Sequence, residues 1–316
     1  MLQLEPENTI LRDTVARRLK SVAEGGKGET FDVRFGEFDG VYYHMVSFNK
    51  VPTELTLSLA LPPGCTRDAE TDAATTQAYN AIAPGVVAAK APERGYSITL
   101  VASLDKVPGD KVDMFVSKLA AVRSIVQGIP LRRHLSLLSA EQSKRGPVEI
   151  IPYREGQSMY VKPLEDAVII VFPMQFADEN DATVATNFLQ NFAETKRQAN
   201  LSNAPACTYH LQAPLEVQEA CKSKGLPVVQ ANGGFMSFSM FSRHVAGPRL
   251  ETAIWSMTTF HSFISYHIKT SKGYIQNRMR KQAQDWLKVL GEAKAAPQKK
   301  KAHAGHAKFG AAFAKR

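Results

Sequence analysis

Cys207 and His210 stand three apart, the nearest thing in the sequence to a metal-ligand spacing. Zinc takes four such ligands, usually as two close pairs. No second pair follows, so these two read as structural residues. His261 and His267 are six apart, which on a helix sets them on different faces. Asp178-Glu179-Asn180-Asp181 gathers three carboxylates. Asp and Asn just ahead of an apolar-periodic stretch cap a helix by accepting its free N–H groups, and that reading needs no catalytic pair. Gly25-Gly26-Lys27-Gly28 has the wrong order and spacing for a phosphate-cradling GxxxxGK[ST] loop. There is no HExxH, no CxxC pair and no nucleophile elbow. The expectation is a non-enzyme with no catalytic residue, no cofactor and no metal.

The chain has 316 residues, of which 44% are hydrophobic and 22% charged. That is globular composition, and the length suits two domains with a core each. Cys65, Cys207 and Cys221 are few, odd in number and far apart, which argues against a disulfide framework and fits a reducing cytosol. Residues 1–7 lack a basic and an apolar region, so no signal peptide is expected. The most apolar run, Ala167 to Phe172, is too short to cross a bilayer. Charge is uneven. Residues 248–316 carry 14 Lys and Arg against Glu251, Asp285 and Glu292, a net of +11, and residues 1–247 carry 25 against 27, a net of −2. A near-neutral body with a basic C-terminal element points to a polyanionic partner, or to a basic segment that only aids solubility.

Periodicity supplies the elements. Residues 8–23 read as a helix with Ile10, Leu11, Val15, Leu19 and Val22 on one side, broken by the glycines at 25–28. Phe31–Phe35, Val41–Phe48 and Leu55–Leu61 read as strands, with a turn at Phe38-Asp39-Gly40-Val41. A helix over Asp68–Ala83, a strand over Tyr96–Leu104 and a helix after Pro108-Gly109-Asp110 follow, the last interrupted by Gly128 and Pro130. The polar stretch Ser139 to Pro147 reads as a linker. The second half repeats the order. Strands at Val148–Tyr153, Ser158–Val161 and Val168–Phe172 precede a helix over Asp181–Lys196, a loop-rich region 205–233 with a short strand at Cys207–Leu211, and a last strand holding Phe235, Phe238 and Phe241. The prediction is an α+β fold: two related α/β domains with antiparallel or mixed sheets, plus a long C-terminal helix. The domains span 1–145 and 146–292, the long helix starts at about residue 248, and residues 293–316 form a basic tail that reads as disordered.

A helix over residues 248–290 is roughly 60 Å long at 1.5 Å per residue, longer than a small domain, so part of it must project or lie along something else. Leu250, Ile254, Met257, His261, Ile264, Ile268, Ile275, Met279, Trp286 and Leu290 form one stripe, which for most positions reads as packing on the chain's own sheet. Trp255, Phe263, Tyr266 and Tyr274 lie on the opposite side and read as the subunit interface, since a helix apolar on two sides is buried on two sides. Lys269, Lys272 and Arg280 fall within about 80° of one another, with Arg278 and Lys281 on other sides. Gly273 costs about 1 kcal/mol in a helix interior and reads as a close approach or a slight kink.

The run Tyr266-His267-Ile268-Lys269-Thr270-Ser271-Lys272-Gly273-Tyr274-Ile275, with Arg278-Met279-Arg280 and Trp286-Leu287-Lys288-Val289-Leu290, resembles the C-terminal helix of subunit 2 of the actin-related protein 2/3 complex. Phe38-Asp39-Gly40-Val41-Tyr42-Tyr43-His44, Gly95-Tyr96-Ser97-Ile98, Met159-Tyr160-Val161 and Phe241-Ser242-Arg243-His244 agree with that family in order and spacing. The resemblance implies a non-catalytic structural core subunit that supports actin nucleation and branching in the cytoplasm. It implies that the long helix pairs with subunit 4 and that the core lies against the mother actin filament. Lys269, Lys272, Arg278, Arg280 and Lys281 are then candidate filament contacts, and the helix aromatics belong to subunit packing. The alternative is a nucleic-acid-binding protein using the basic helix and tail. It predicts steep salt dependence and lacks an aromatic–basic strand signature.

Overall fold

The computed structural model describes residues 4–25, 30–65, 69–198 and 203–292. Helix α1 (Thr9–Ala23) starts where Asn8 Oδ1 accepts from the Ile10 and Leu11 N–H groups, an N-cap that satisfies two orphan donors. Strands β1 (Phe31–Glu37), β2 (Val41–Ser47) and β3 (Glu54–Ala60) follow, then α2 (Ala69–Asn80), β4 (Val87–Lys90) and β5 (Ile98–Ser103). Helices α3 (Val112–Ala120) and α4 (Val122–Ser139) lead to the second set of strands, β6 (Glu149–Arg154), β7 (Gln157–Pro163) and β8 (Ala167–Pro173). Helix α5 (Glu179–Gln198), β9 (Ala206–His210), α6 (Leu215–Ser223) and β10 (Phe235–Phe241) complete that set. The chain closes with α7 (Ser242–Val245), α8 (Arg249–Thr258) and α9 (Phe260–Glu292).

The two sheets share one topology. Their strand orders are β1-β2-β3-β5-β4 and β6-β7-β8-β10-β9, and every described pair is antiparallel. Alternation sends Tyr43, Met45, Leu55, Leu57, Leu59, Ile98 and Leu100 into the first core. Met159, Val161, Val168, Ile170, Phe172, Met236 and Phe238 fill the second. The predicted α+β architecture with two related sheets and a long terminal helix is therefore present, with antiparallel sheets only.

Local expectations are corrected at four places. Gly128 and Pro130 do not interrupt a helix; both lie inside α4, and the chain breaks instead at Ala121, between α3 and α4. Pro130 costs roughly 3 kcal/mol in a helix interior, which the burial of Val126, Ile129 and Leu131 outweighs. Strand β4 lies in a segment to which the pattern assigns no element, and helix α6 in the loop-rich region 205–233. Both are short: β4 pairs only along β5, and α6 buries only Val217, Ala220 and Cys221. The helix from residue 248 is also two helices. Thr259 leaves helical geometry (φ −105°, ψ 4°), and its hydroxyl donates to the Trp255 carbonyl at 2.7 Å. Thr258 Oγ1 donates to the Ile254 carbonyl at 3.0 Å. Threonine hydroxyls that compete for i−4 carbonyls bend or break helices. The tail 293–316, Gly26 to Gly28 and the expected helix start at Asp68 lie outside the described residues.

The chain divides into a unit ending at Lys269, which holds both sheets, and a second unit beginning at Thr270.

Candidate functional site

The residues that first suggested chemistry are dispersed. On β9, Cys207 pairs with Phe238 and His210 with Phe235, and an odd spacing on a strand sends the two side chains to opposite faces. Cys207 is buried in the second core, while His210 is exposed and 3.2 Å from Thr208 Oγ1. Asp178 Oδ1 accepts from the Asn180 N–H at 2.9 Å at the start of α5, so that acidic run caps a helix. His267 stacks on Phe188, the rings 5.9 Å apart and nearly parallel. Among the described residues, no group of three His, Cys, Asp or Glu is placed to hold a metal ion, and no single helix is long and apolar enough to cross a membrane.

The buried polar chemistry gathers instead where the two sheets meet the start of α9. The turn between β1 and β2 puts Asp39 in the left-handed region, φ 64°. Its Oδ2 accepts from Arg123 Nη2 of α4 at 3.2 Å and from the Ser262 hydroxyl of α9. Arg123 Nη1 donates to Glu37 at 3.1 Å and to the Phe38 carbonyl at 3.2 Å. The Arg123 guanidinium lies 3.9 Å from the Phe38 ring centroid and 5.6 Å from that of Trp255, so a fully buried charge is both paired and stacked on aromatic faces. Arg154 of β6 stands 3.8 Å from Asp39 and 3.3 Å from His261 Nδ1. Burial, aided by the Arg154 charge, lowers the His261 pKa to about 4, so the ring is neutral. Its Nε2–H faces the Gln175 carbonyl at 3.4 Å, and Nδ1 accepts. Cys65 packs nearby with its thiol donating to the Tyr153 carbonyl at 3.0 Å, and burial pushes its pKa up to about 11. A thiol held protonated in this way is unreactive. The cluster fastens the β1–β2 turn to α4, β6 and α9.

The candidate interface residues fall into two groups. Trp255 is 5% exposed and its Nε1–H donates to the Leu4 carbonyl at 2.7 Å. It faces its own chain, which corrects its assignment to a partner-facing side. Phe263 packs against the second core and meets His267 edge-on at 4.3 Å. Tyr266 and Tyr274 are exposed, Tyr274 by 67%. The helix break at Thr259 separates Trp255 from the other three, because a wheel drawn straight through residues 248–290 loses phase there; Phe263 lies in α9 with the two tyrosines and differs from them by packing on the second core.

The larger apolar surface is one that periodicity alone assigned to the chain's own sheet. Leu250 is partly buried, and Ile254, Met257, His261, Ile264 and Ile268 are buried. Ile275, Met279, Trp286 and Leu290 are exposed, Met279 by 64% and Trp286 by 66%. With Ile275 at zero on the wheel of α9, Trp286 stands at about 20°, Met279 at about 40° and Leu290 at about 60°. Ile264 and Ile268 lie within about 20° of the same line. Leu287 and Val289 add further exposed apolar area. Lys269, Arg278, Arg280 and Lys281 are exposed and Lys272 is half-buried. A Cβ at Gly273 would meet nothing within 4 Å, so no close approach explains that glycine.

A family model described as "Arp2/3 complex, 34 kD subunit p34-Arc" matches residues 67–297. The chain is similar to actin-related protein 2/3 complex subunit 2A of Arabidopsis thaliana, 33% identical over 301 residues that cover 93% of this chain and 92% of that protein. It is also similar to subunit 2B of the same plant, 30% identical over 301 residues that cover 92% of this chain and 78% of that protein. Nothing in these matches supports nucleic-acid binding. The family match takes in both the second sheet and the whole of α9, and this chain belongs to the p34-Arc family, the 34 kDa subunits of the Arp2/3 complex.

Proposed function

We propose that this chain is a non-catalytic structural subunit of an Arp2/3 complex, supporting actin filament nucleation and branching at the cytoplasmic actin cytoskeleton. Its terminal helix pairs with subunit 4, and the basic residues Lys269, Lys272, Arg278, Arg280 and Lys281 face the acidic mother filament. Family membership supports the complex. The observation that carries the pairing is the exposed row Ile275, Met279, Trp286 and Leu290. Burying such side chains is worth on the order of 2 kcal/mol each, and a contiguous apolar row of this kind marks a protein interface. The cations beside it suit a polyanionic surface by charge complementarity.

Affinity purification of the tagged full chain from native lysate, followed by mass spectrometry, tests the reading. The expected result is co-recovery of two actin-related proteins and subunit 4. Recovery of the chain as a stable monomer contradicts it.

A further inference from the structure

The two sheets share one strand order but cover their outer faces differently. Across the middle of the second sheet, Tyr160, Val171, Ser237 and Thr208 pair in one row. Helix α6, in the connection from β9 to β10, lays Val217, Ala220 and Cys221 on Tyr160, Val171 and Phe235. In the first sheet the same places in the topology hold His44, Ser58, Thr99 and Lys90. There the equivalent connection, β4 to β5, is only the loop 91–97. An apolar helical cover in one domain is replaced in the other by a short polar strap.

One side chain fastens that strap. His44 is buried, with Nδ1 2.7 Å from Glu93 Oε2 and 2.9 Å from Glu93 Oε1. Its Nε2 is 2.9 Å from Asp32 Oδ1 of β1. Both ring nitrogens therefore face carboxylate oxygens, which accept only. A neutral imidazole donates from one nitrogen and presents a lone pair at the other; only the imidazolium donates from both. The ring also stacks on Tyr96 of the loop at 5.9 Å, and the Glu93 N–H donates to Thr99 Oγ1 at 2.9 Å.

We propose that His44 is a pH-sensitive fastener: as an imidazolium it ties loop 91–97 through Glu93, and edge strand β1 through Asp32, to the outer face of the first sheet, and loss of its proton to solvent releases the loop. Deprotonation removes one of the two donors and sets a lone pair of a nearly buried ring against a carboxylate, Glu93 being one-third exposed and Asp32 mostly exposed. The other charged group facing the cluster is Arg34 of β1, 3.9 Å from Glu93. Ser58 of β3 and Thr99 of β5 present only hydroxyls, which bond to each other at 2.9 Å, and Lys90 of β4 turns to Glu54 at 3.4 Å. Burial opposes the charge on Glu93, but the hydrogen bonds from His44 and Ser58 and the His44 and Arg34 charges outweigh it and hold its pKa below the usual carboxylate range. The partner carboxylate is thus ionised at neutral pH.

Hydrogen–deuterium exchange on the full chain, in the assembly with which it purifies, tests this between about pH 6 and about pH 8.5, the range in which histidines change charge. Rates are corrected for intrinsic exchange. The probes are the Tyr96 N–H, bonded to the Glu93 carbonyl, and the Ser97 N–H, bonded to the Leu59 carbonyl. Their protection is expected to fall as pH rises across this range, by up to about tenfold per pH unit. The α6 peptide 215–223 should stay flat. Asp32→Asn and Glu93→Gln should each shrink the fall, because each removes a negative charge that favours the imidazolium while leaving an acceptor oxygen. Flat corrected protection in the unmodified chain overturns the proposal. So does an undiminished fall in His44→Gln.

Discussion

Gly128 of α4 and Ile254 of α8 meet so closely that a β-carbon at position 128 would lie 2.4 Å from Ile254 Cγ2. The helix that follows the last strand of the first sheet thus packs against one that follows the last strand of the second. Glycine is needed here for the approach of two helices, because its own backbone is ordinary helix. Gly128→Ala is expected to lower stability by about 1–3 kcal/mol, the usual cost of forcing a methyl group into a packed contact. A thermal melt of the purified full chain checks this. An unchanged midpoint means that the helices part at no cost.

Gly273→Ala should act in the opposite direction. Nothing lies within 4 Å of the added methyl group, and alanine gains about 1 kcal/mol over glycine inside a helix. The variant is expected to be more stable in chemical denaturation by about that amount. A loss instead would show that a partner backbone approaches at this point.

Arg123 is fully buried between Glu37 and Asp39 and over the Phe38 ring. Removing one partner from a buried ion pair leaves the other uncompensated, at about 3–5 kcal/mol. Arg123→Ala should therefore fold poorly or melt far lower. Truncating the exposed Arg12, whose pairs with Asp13 at 3.6 Å and Glu7 at 3.9 Å lie at the surface, should cost well under about 1 kcal/mol.

His261 supplies a pH dependence of definite sign. Its pKa in the folded chain lies near 4, from burial and the Arg154 charge, against about 6.5 in an unfolded chain. The unfolded state therefore binds more protons between those values, and stability is lost as pH falls through that window. The loss contributed by this ring is at most about 3 kcal/mol. Urea unfolding at about pH 7 and about pH 4.5 should show a smaller acid loss in His261→Gln than in the unmodified chain. Equal losses would place the acid sensitivity elsewhere.

Charge reversal separates filament contact from assembly. Lys269→Glu, Lys272→Glu and Arg280→Glu together should leave the complex intact and reduce branch density in a reconstituted actin assay. Unchanged branching removes these three residues from the filament contact.

Much of the fold is legible from residue pattern because alternation is clean where one sheet face is buried. Leu55, Leu57 and Leu59 mark β3, and Val168, Ile170 and Phe172 mark β8. Asp178 announces the helix it caps. Strand β4 is four residues long and helix α6 nine, too short for a period to show. Pro130 misleads because tertiary burial overrides a local penalty. The terminal helix is legible in its stripe but not in how that stripe divides. Periodicity makes Ile268 and Ile275 equivalent, and only packing separates the buried one from the exposed one. Trp255 misleads for a related reason: the break at Thr259, set by two threonine hydroxyls, puts it in a different helix from Tyr266 and Tyr274.

The most direct test of the central claim is the yield of subunit 4 recovered with the tagged full chain when Met279→Asp and Trp286→Glu are introduced together. Both side chains are exposed here, so the change should leave the two sheets folded, as circular dichroism can verify. The account predicts an equimolar complex from the unmodified chain and loss of subunit 4 from the double variant. Undiminished recovery by a folded double variant would contradict it.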